Sequence, residues 1–289
     1  MEFYHLRSFV AVAQTKNLTK AAQRLYTTPP AISAHIKALE DELATQLFIR
    51  SSKGMELTDK GQVLLTQAQR TLDSAVDLVN LAAINQHEII GTLSISINAP
   101  AQQLALDGLA KKLHDDFPGI TLDITAHSTG QAIGLLNDGH LDGAFIYGDL
   151  PSECASIKVK DQSLVVIAPS DVELTNELAL PWLQQQRWVT MGGYCPFDSI
   201  LRQRLGQPVN TSLSTDDEST RLSLVQQGLG FSLLEKELAK RAVNARQIII
   251  IPAFEVSIPL QFIVQKTRAN EPVIQALMQT VEVALLQSD

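Results

Sequence analysis

The sequence predicts two architectures in one chain: an N-terminal all-α winged helix-turn-helix plus long linker helix, then a C-terminal α/β two-lobed domain. Three observations predict it. Two prolines stand between helical segments in "AAQRLYTTPPAISAHIKALE", residues 21–40. The stretch from Asp59 to about His87 holds no proline and repeats apolar residues every three or four positions. From Gly91 onward, strand patterns alternate with helix patterns.

At 289 residues, 45% of them hydrophobic and 19% charged, the chain has room for two separate cores. No apolar run reaches the roughly 18 residues that a membrane helix needs. The N-terminus "MEFYHLRSFVAVAQTKN" carries an acid at position 2 and no small-residue cleavage site, which makes it a poor signal peptide. With only two cysteines and no disulfide framework, a reducing cytoplasm is the expected location. The net charge of −8 hides an asymmetry: residues 1–60 carry eight Lys/Arg and six Asp/Glu, and the remainder is strongly acidic. A slightly basic head on an acidic body suits a chain of which one module meets phosphate.

The head reads as follows. Phe3, Leu6, Phe9, Val10, Val12 and Ala13 recur at helical spacing. Asn17 or Thr19 caps a second helix with Leu18, Ala21, Ala22 and Leu25 on one face, the alanines permitting a close crossing. Tyr26 and Thr27 form the turn. Thr28 is a good N-cap, and Pro29 and Pro30 fall in the first turn, where backbone donors lack helical partners anyway. The prolines therefore open a third helix, which buries Ile32, Ile36, Leu39 and Leu43. Two short helices around a tight turn make a helix-turn-helix, whose second helix enters the DNA major groove; the same spacing also suits an ordinary helical hairpin. The thin charge of the third helix fits base reading by short side chains, with phosphates gripped from the flanks. Leu47–Ile49 and Met55–Leu57 are two short strands around "RSSKG", a wing that carries Arg50 and Lys53.

The run "NLTKAAQRLYTTPPAISAHIKALEDELATQLFIRSSKGMELTDKG" resembles the winged helix-turn-helix signature of the LysR-type transcriptional regulators, almost continuously from Phe3 to Gly61. The resemblance implies a bacterial regulator that binds double-stranded promoter DNA, with Thr28, Pro29, Pro30, Ser33, His35, Lys37, Arg50 and Lys53 as DNA-binding candidates. Where the family usually has a base-contacting glutamine this chain has Pro29, and where it often has arginine this chain has Ala34. Base reading is then expected to rest on Thr28, Ser33 and His35.

The domains expected are residues 1–58 for the head, 59–88 for the linker helix and 89–289 for the body. In the linker, Leu65, Ala68, Leu72, Ala75, Val79 and Ala82 form an apolar seam too long for a small head to cover. Its simplest partner is the same helix of a second chain, with Leu65, Leu72 and Val79 in the contact. The family resemblance also implies such a homodimer, and usually a homotetramer.

In the body, "GTLSISINAP", "ITLDITAHST" and "DGAFIYG" are strands separated by helices, and "SLVVIAPS" begins a second unit continued by "RWVTM", "IIIIP" and "LQFIVQK". A largely parallel sheet in two lobes is expected, with ligand at the carboxyl ends of the strands. This too resembles the LysR effector-binding domain, which looks like a periplasmic binding protein: lobe I about 91–162 and 266–289, lobe II about 163–265. By that resemblance Ala99, Pro100, Ala101, Gln102, Ser128, Thr129, Gly193, Tyr194, Cys195 and Phe197 line the pocket of an unidentified small-molecule effector. Arg202 is the one basic residue near these loops, so a neutral, aromatic or singly anionic effector is expected.

Cys195 precedes Pro196 at a helix start, where a thiol pKa falls. Some members of the family sense peroxide with a cysteine pair, and a redox-sensing regulator is the alternative. The partner would be Cys154, which lies on the other lobe. A solute-binding α/β protein that binds no DNA is the more remote alternative. The "TDDES" run at 215–219 reads as a solvated loop or helix cap. Enzyme motifs are missing: there is no G-x-S-x-G elbow, no P-loop, and "GLGFSL" lacks the third glycine of a dinucleotide fingerprint. The six histidines show no close pairing, so no metal and no cofactor are expected.

Overall fold

The computed structural model describes residues 1–51, 54–83, 88–173, 180–206 and 209–286. The head consists of α1 (Phe3–Thr15), α2 (Leu18–Arg24), α3 (Pro29–Leu43) and a hairpin of β1 (Phe48–Ser51) and β2 (Gly54–Leu57). Local chemistry sets each start. The Asn17 side chain accepts from the Lys20 N–H at 3.0 Å, and Thr28 Oγ1 accepts from the Ala31 N–H at 3.4 Å with Pro29 first in the helix. Ala21 and Ala22 are fully buried where the helices cross, and Phe9, Ile32, Leu39 and Leu47 fill the core around them. Phe9 meets Phe48 of the hairpin edge-on, with ring centroids 5.5 Å apart. Lys53 lies outside the described residues.

The linker helix α4 (Asp59–Leu81) begins at Thr58, whose hydroxyl accepts from the Gly61 N–H at 2.8 Å. Its 23 residues span roughly 35 Å. The helix stops at Leu81, short of the expected boundary at 88, and residues 84–87 lie outside the described residues. Its seam also differs from expectation. Leu65 and Leu72 are half-buried against the head's own core beside the buried Ala68. The apolar side chains left in solvent are Val63, Leu78, Val79 and Leu81. A period of three or four marks an apolar face; it does not say what covers it.

The body is built on a six-stranded sheet of order β4-β3-β5-β10-β6-β9. These strands are β3 (Ile90–Ile97), β4 (Gly119–Ala126), β5 (Gly143–Tyr147), β6 (Cys154–Pro169), β9 (Ser232–Glu235) and β10 (Ile248–Gln265). Only β3 with its neighbours β4 and β5 is parallel; β10 runs antiparallel to β5 and β6, and β6 to β9. The sheet is mixed and not largely parallel, because β6 and β10 are long strands that pair antiparallel along most of their length. The segments "IIIIP" and "LQFIVQK", expected as separate strands, both belong to β10. A register shift between Ile251 and Glu255 takes up Pro252, which cannot donate to the ladder.

A second, parallel pair, β7 (Trp188–Thr190) and β8 (Thr211–Ser214), belongs to the other lobe. The helices are α5 (Leu106–Asp116), α6 (Thr129–Asn137), α7 (Leu180–Gln185), α8 (Pro196–Leu205), α9 (Glu218–Gln226), α10 (Lys236–Asn244) and α11 (Pro272–Leu286). The main core joins Phe145 and Phe262 (4.9 Å between rings) to Trp188, Leu233 and the apolar faces of α5 and α11.

Two contacts fix α4 to lobe I. The Asn80 side chain, 3% exposed, donates to the Ile90 carbonyl at 2.8 Å and accepts from the Ile90 N–H at 2.9 Å. The Arg70 guanidinium lies against Gly139 so closely that a Cβ there would come within 2.7 Å of it. Gly139 also holds φ +75°, a backbone conformation that favours glycine.

Candidate functional site

The site has two parts, a face on the head and a cleft in the body. Along α3 the buried stripe is Ile32, Ile36 and Leu39. The opposite stripe is Pro30, Ala34 and Lys37, all exposed, with Ser33 half-buried on its flank. His35 departs from expectation. Its Nδ1 is 2.8 Å from Ser8 Oγ, and its ring packs against Tyr4 and His5 of α1 at 4.8 and 5.7 Å. It is held on the α1 side of the helix, away from the outward stripe, and burial together with the neighbouring His5 lowers its pKa. Two histidines separated by 30 positions thus meet in space, although among the described residues no group of three metal-binding side chains forms.

The hairpin is positioned from both sides. Glu40 on α3 accepts from the N–H groups of Leu47 and Phe48 at 2.7 and 3.2 Å, clamping the start of β1 to the end of the helix. At the other end the Met55 N–H donates to the Lys16 carbonyl at 3.0 Å. Gly54 fits there at φ +114°, where a Cβ would lie 2.4 Å from that carbonyl oxygen. Arg50 is thereby carried, exposed, on an anchored strand next to α3.

In the body, a cleft of about 610 Å³ opens between α6 and the end of β5 on one side and α8 on the other, with Val256–Pro259 of β10 as its floor. Of the expected residues, Thr129, Gly193, Tyr194 and Cys195 line it. Ala99, Pro100, Ala101 and Ser128 are not among the lining residues. Ala99 and Ala101 pack against the main core, and Ser128 forms a reciprocal cap with Gln131 at the start of α6. The side chain of Gln102 lies outside the described residues. Phe197 is 6% exposed and sits behind the wall, its ring 4.8 Å from that of Tyr147. Lining residues that sequence reasoning missed include Tyr147, Asp149, Arg204 and Ile258. Arg202, the cation expected nearby, is instead bound to Asp198 one helical turn earlier at 2.6 Å.

Thr129 organises its side of the cleft: its buried hydroxyl oxygen accepts from the Tyr147 N–H at 3.1 Å and from Asn98 Nδ2 at 3.2 Å. These bonds leave its own proton free to donate. Across the opening the Gly130 N–H donates to the Tyr194 carbonyl at 3.1 Å, so the lobes touch at one edge. The Tyr194 loop is held from behind, because the Gly192 N–H donates to Asp216 at 2.7 Å.

Behind this loop lies a buried polar group that joins the lobes. Gln162 on β6, opposite Ile258 of the floor, donates through Nε2 to Glu235 at 2.8 Å, and Glu235 caps α10. Glu218 accepts from the Glu235 N–H at 3.3 Å, and Arg221, 2% exposed, donates to the Asp216 carbonyl at 3.0 Å. Burial, reinforced by Glu218 and Glu235, pushes the Tyr147 phenol far up, so it stays a neutral donor at the cleft. Burial also raises the Cys195 thiol, outweighing the backbone bond from Phe197 and the charge of Arg221. The expected thiol activation is therefore reversed. Cys154 is fully buried in a different cluster, with Ala132 and Leu136 of α6.

Comparison with known proteins matches both parts of the chain. The family model for bacterial regulatory helix-turn-helix proteins of the lysR family matches residues 3–62, and that for the LysR substrate binding domain matches residues 86–285. The chain belongs to the LysR family of transcriptional regulators. This LysR-type regulator is 26% identical to the HTH-type transcriptional regulator CitR of Bacillus subtilis over 273 residues, covering 90% of this chain and 91% of CitR. Its fold is shared by full-length OxyR of Pseudomonas aeruginosa, with a TM-score of 0.72, 22% identity and 98% and 95% of the two chains covered. CbnR, solved in complex with its target DNA, gives 0.63 at 22% identity, covering 98% of this chain and 100% of that one. The chain is thus a DNA-binding regulator with an effector-binding body, and the redox reading is not favoured over an effector cleft. Among the described residues no helix is long and apolar enough to cross a membrane.

Proposed function

We propose that this LysR-type regulator reads the DNA major groove with the outward face of α3, grips the flanking backbone with the β1–β2 wing, and binds its effector in the cleft between α6 and α8. The observation that carries the first part is the exposed, thinly charged stripe Pro30–Ala34–Lys37 beside an anchored Arg50. Short side chains and one cation suit base edges with a phosphate alongside. Ser33 and Thr28 flank this stripe; His35 acts by holding α3 to α1. For the second part, Asp149 and Arg204 face the cleft from opposite lobes, and neither has an ion-pair partner among the described residues. A small molecule of mixed polarity is the fitting ligand, with the Tyr147 and Thr129 hydroxyls as hydrogen-bond donors. The relatives are regulators by name, so the chain is read as a binding protein that catalyses nothing and works in the cytoplasm, where its DNA is.

Two copies meet through the distal half of α4. Leu78 and Leu81, both 71% exposed, leave a stripe that the chain itself does not cover. Pairing with the same stripe of a second copy places two α3 helices on one DNA site. Leu78→Glu is expected to shift the protein from dimer to monomer in sedimentation velocity without lowering its melting temperature; an unchanged dimer would reject this seam. Because Asn80 and Arg70 tie α4 to lobe I, movement of the lobes on effector binding reaches the same helix, by at most the effector's differential affinity for the two arrangements.

The test is equilibrium binding of the full chain to duplex DNA with a randomised core across a salt series, run beside thermal melts with a panel of small metabolites. Affinity is expected to fall steeply with salt, and one metabolite class to raise the melting temperature in a concentration-dependent way. A flat salt response would contradict the assignment of the head.

A further inference from the structure

The turn between α2 and α3 carries a residue that its backbone does not suit. After α2 the Thr27 N–H donates to the Ala22 carbonyl at 2.9 Å and the Tyr26 N–H to the Gln23 carbonyl at 3.2 Å. This double bond pattern is the one that closes helices with a left-handed residue, usually glycine and sometimes asparagine. Here that residue is Tyr26, at φ +53°. A β-carbon and an aromatic ring in this conformation cost stability that glycine or asparagine would not. Nothing within the chain offsets the cost, because Tyr26 is 98% exposed. It lies two residues before Thr28, which caps α3, and Thr27, Thr28, Pro29 and Pro30 beside it are exposed as well.

A large aromatic residue that is strained and covered by no part of its own chain points to an external contact. Its location identifies that contact. In a helix-turn-helix the first helix crosses the DNA backbone and the second enters the groove, so the turn between them passes over the phosphate edge. We propose that Tyr26 is a DNA backbone contact, its ring laid along a deoxyribose and its phenol donating to a phosphate oxygen. The inference rests on α3 being the groove helix. Phenol is neutral, so the contact releases no counterion and strengthens binding at every salt concentration alike. It also carries no base information, so it acts on all sequences equally.

The experiment compares the full-length chain with Tyr26→Asn and Tyr26→Phe, together with Ala34→Glu on the outward face of α3. Each is measured for melting temperature and for affinity toward a randomised-core duplex pool and the sequence the unaltered chain enriches from it. Tyr26→Asn is expected to melt at or above the temperature of the unaltered chain, yet to bind both DNAs about tenfold more weakly with the same salt slope. Tyr26→Phe is expected to lose most of that affinity, because the charge-assisted bond is gone while the ring remains. Full affinity in Tyr26→Asn, with Ala34→Glu still abolishing binding, would overturn the Tyr26 contact alone. Full affinity in Ala34→Glu would overturn the groove assignment of α3 on which it rests. A loss confined to the enriched sequence, or a fall in melting temperature that tracks the fall in affinity, would also reject a backbone contact.

Discussion

Ala34→Glu should reduce DNA binding about a hundredfold or more while leaving the head folded. Ala34 is exposed in the middle of α3, opposite the buried Ile32, Ile36 and Leu39. Glutamate is a good helix former, and nothing in the chain lies over this position to clash with it. On DNA the new carboxylate would stand at the centre of the contact, between rows of phosphates and against base edges that offer mostly acceptors. Like-charge juxtaposition in an interface costs several kcal/mol, and a hundredfold loss corresponds to about 2.7 kcal/mol. Ala34→Gln is the matched control. Its amide has the same shape without the charge and can bond to adenine, so a modest change with altered sequence preference is expected. Fluorescence anisotropy on duplex DNA, with circular dichroism melts of the same samples, separates the two. Retained binding in the glutamate variant would mean that another surface reads DNA.

The head was legible because its decisive features are local. A threonine cap followed by two prolines specifies where α3 begins, and spacing of three and four residues specifies which side it buries; both hold in the structure for Ile32, Ile36 and Leu39, whereas Leu43, the last residue of the helix, is exposed. What stayed hidden there depends on which elements meet. Glu40 reads as a surface acid, yet it clamps the wing. His35 shares α3 with the outward residues, but Ser8, Tyr4 and His5 draw its ring to α1. Leu65 and Leu72 have the period of a free seam and are partly covered by the head.

The cleft shows the same division. Thr129 and Gly193–Cys195 were named by the family resemblance, and they also stand where ligand sites collect, at strand ends and helix starts. The identical rule applied to "GAFIYGD" would have found Tyr147 and Asp149, since they close β5. It also selected Ala99 and Ala101, which pack against the core, and Pro100, which is exposed outside the cleft. The group behind the cleft had no such signal. Gln162 and Glu235 are 73 positions apart, on strands whose pairing only the finished fold establishes. Arg221 sits in the middle of α9, where arginine ordinarily reads as a solvated residue.

That arginine carries the largest stability effect expected in the body. Arg221→Met should lower the body's unfolding free energy by about 1–3 kcal/mol at neutral pH, the usual cost of leaving buried acceptors without their charged donor. Methionine can fill the space, so the loss reflects charge and hydrogen bonds. The Thr215 and Asp216 carbonyls lose their donor, and Glu218 loses the cation that offsets its burial. Burial already holds the Glu218 carboxyl above its ordinary value of 4.5, and Arg221 opposes that shift. With the arginine gone it rises further. A carboxyl that holds its proton more tightly folded than unfolded costs stability as pH rises from the unfolded value through the folded one, and not below it. The variant should therefore lie closest to the unaltered chain under acid conditions and fall away toward neutral pH. Arg221→Met combined with Glu218→Gln should recover part of the loss and most of its pH dependence, because the amide can still accept from the Glu235 N–H while carrying no charge. Denaturant unfolding of the full chain at several pH values reads both effects in the transition of the body. A loss that is equal at all pH values, or that the second substitution leaves unchanged, would mean that Arg221 supports the cleft loop through its shape and carbonyl bonds, with its charge irrelevant.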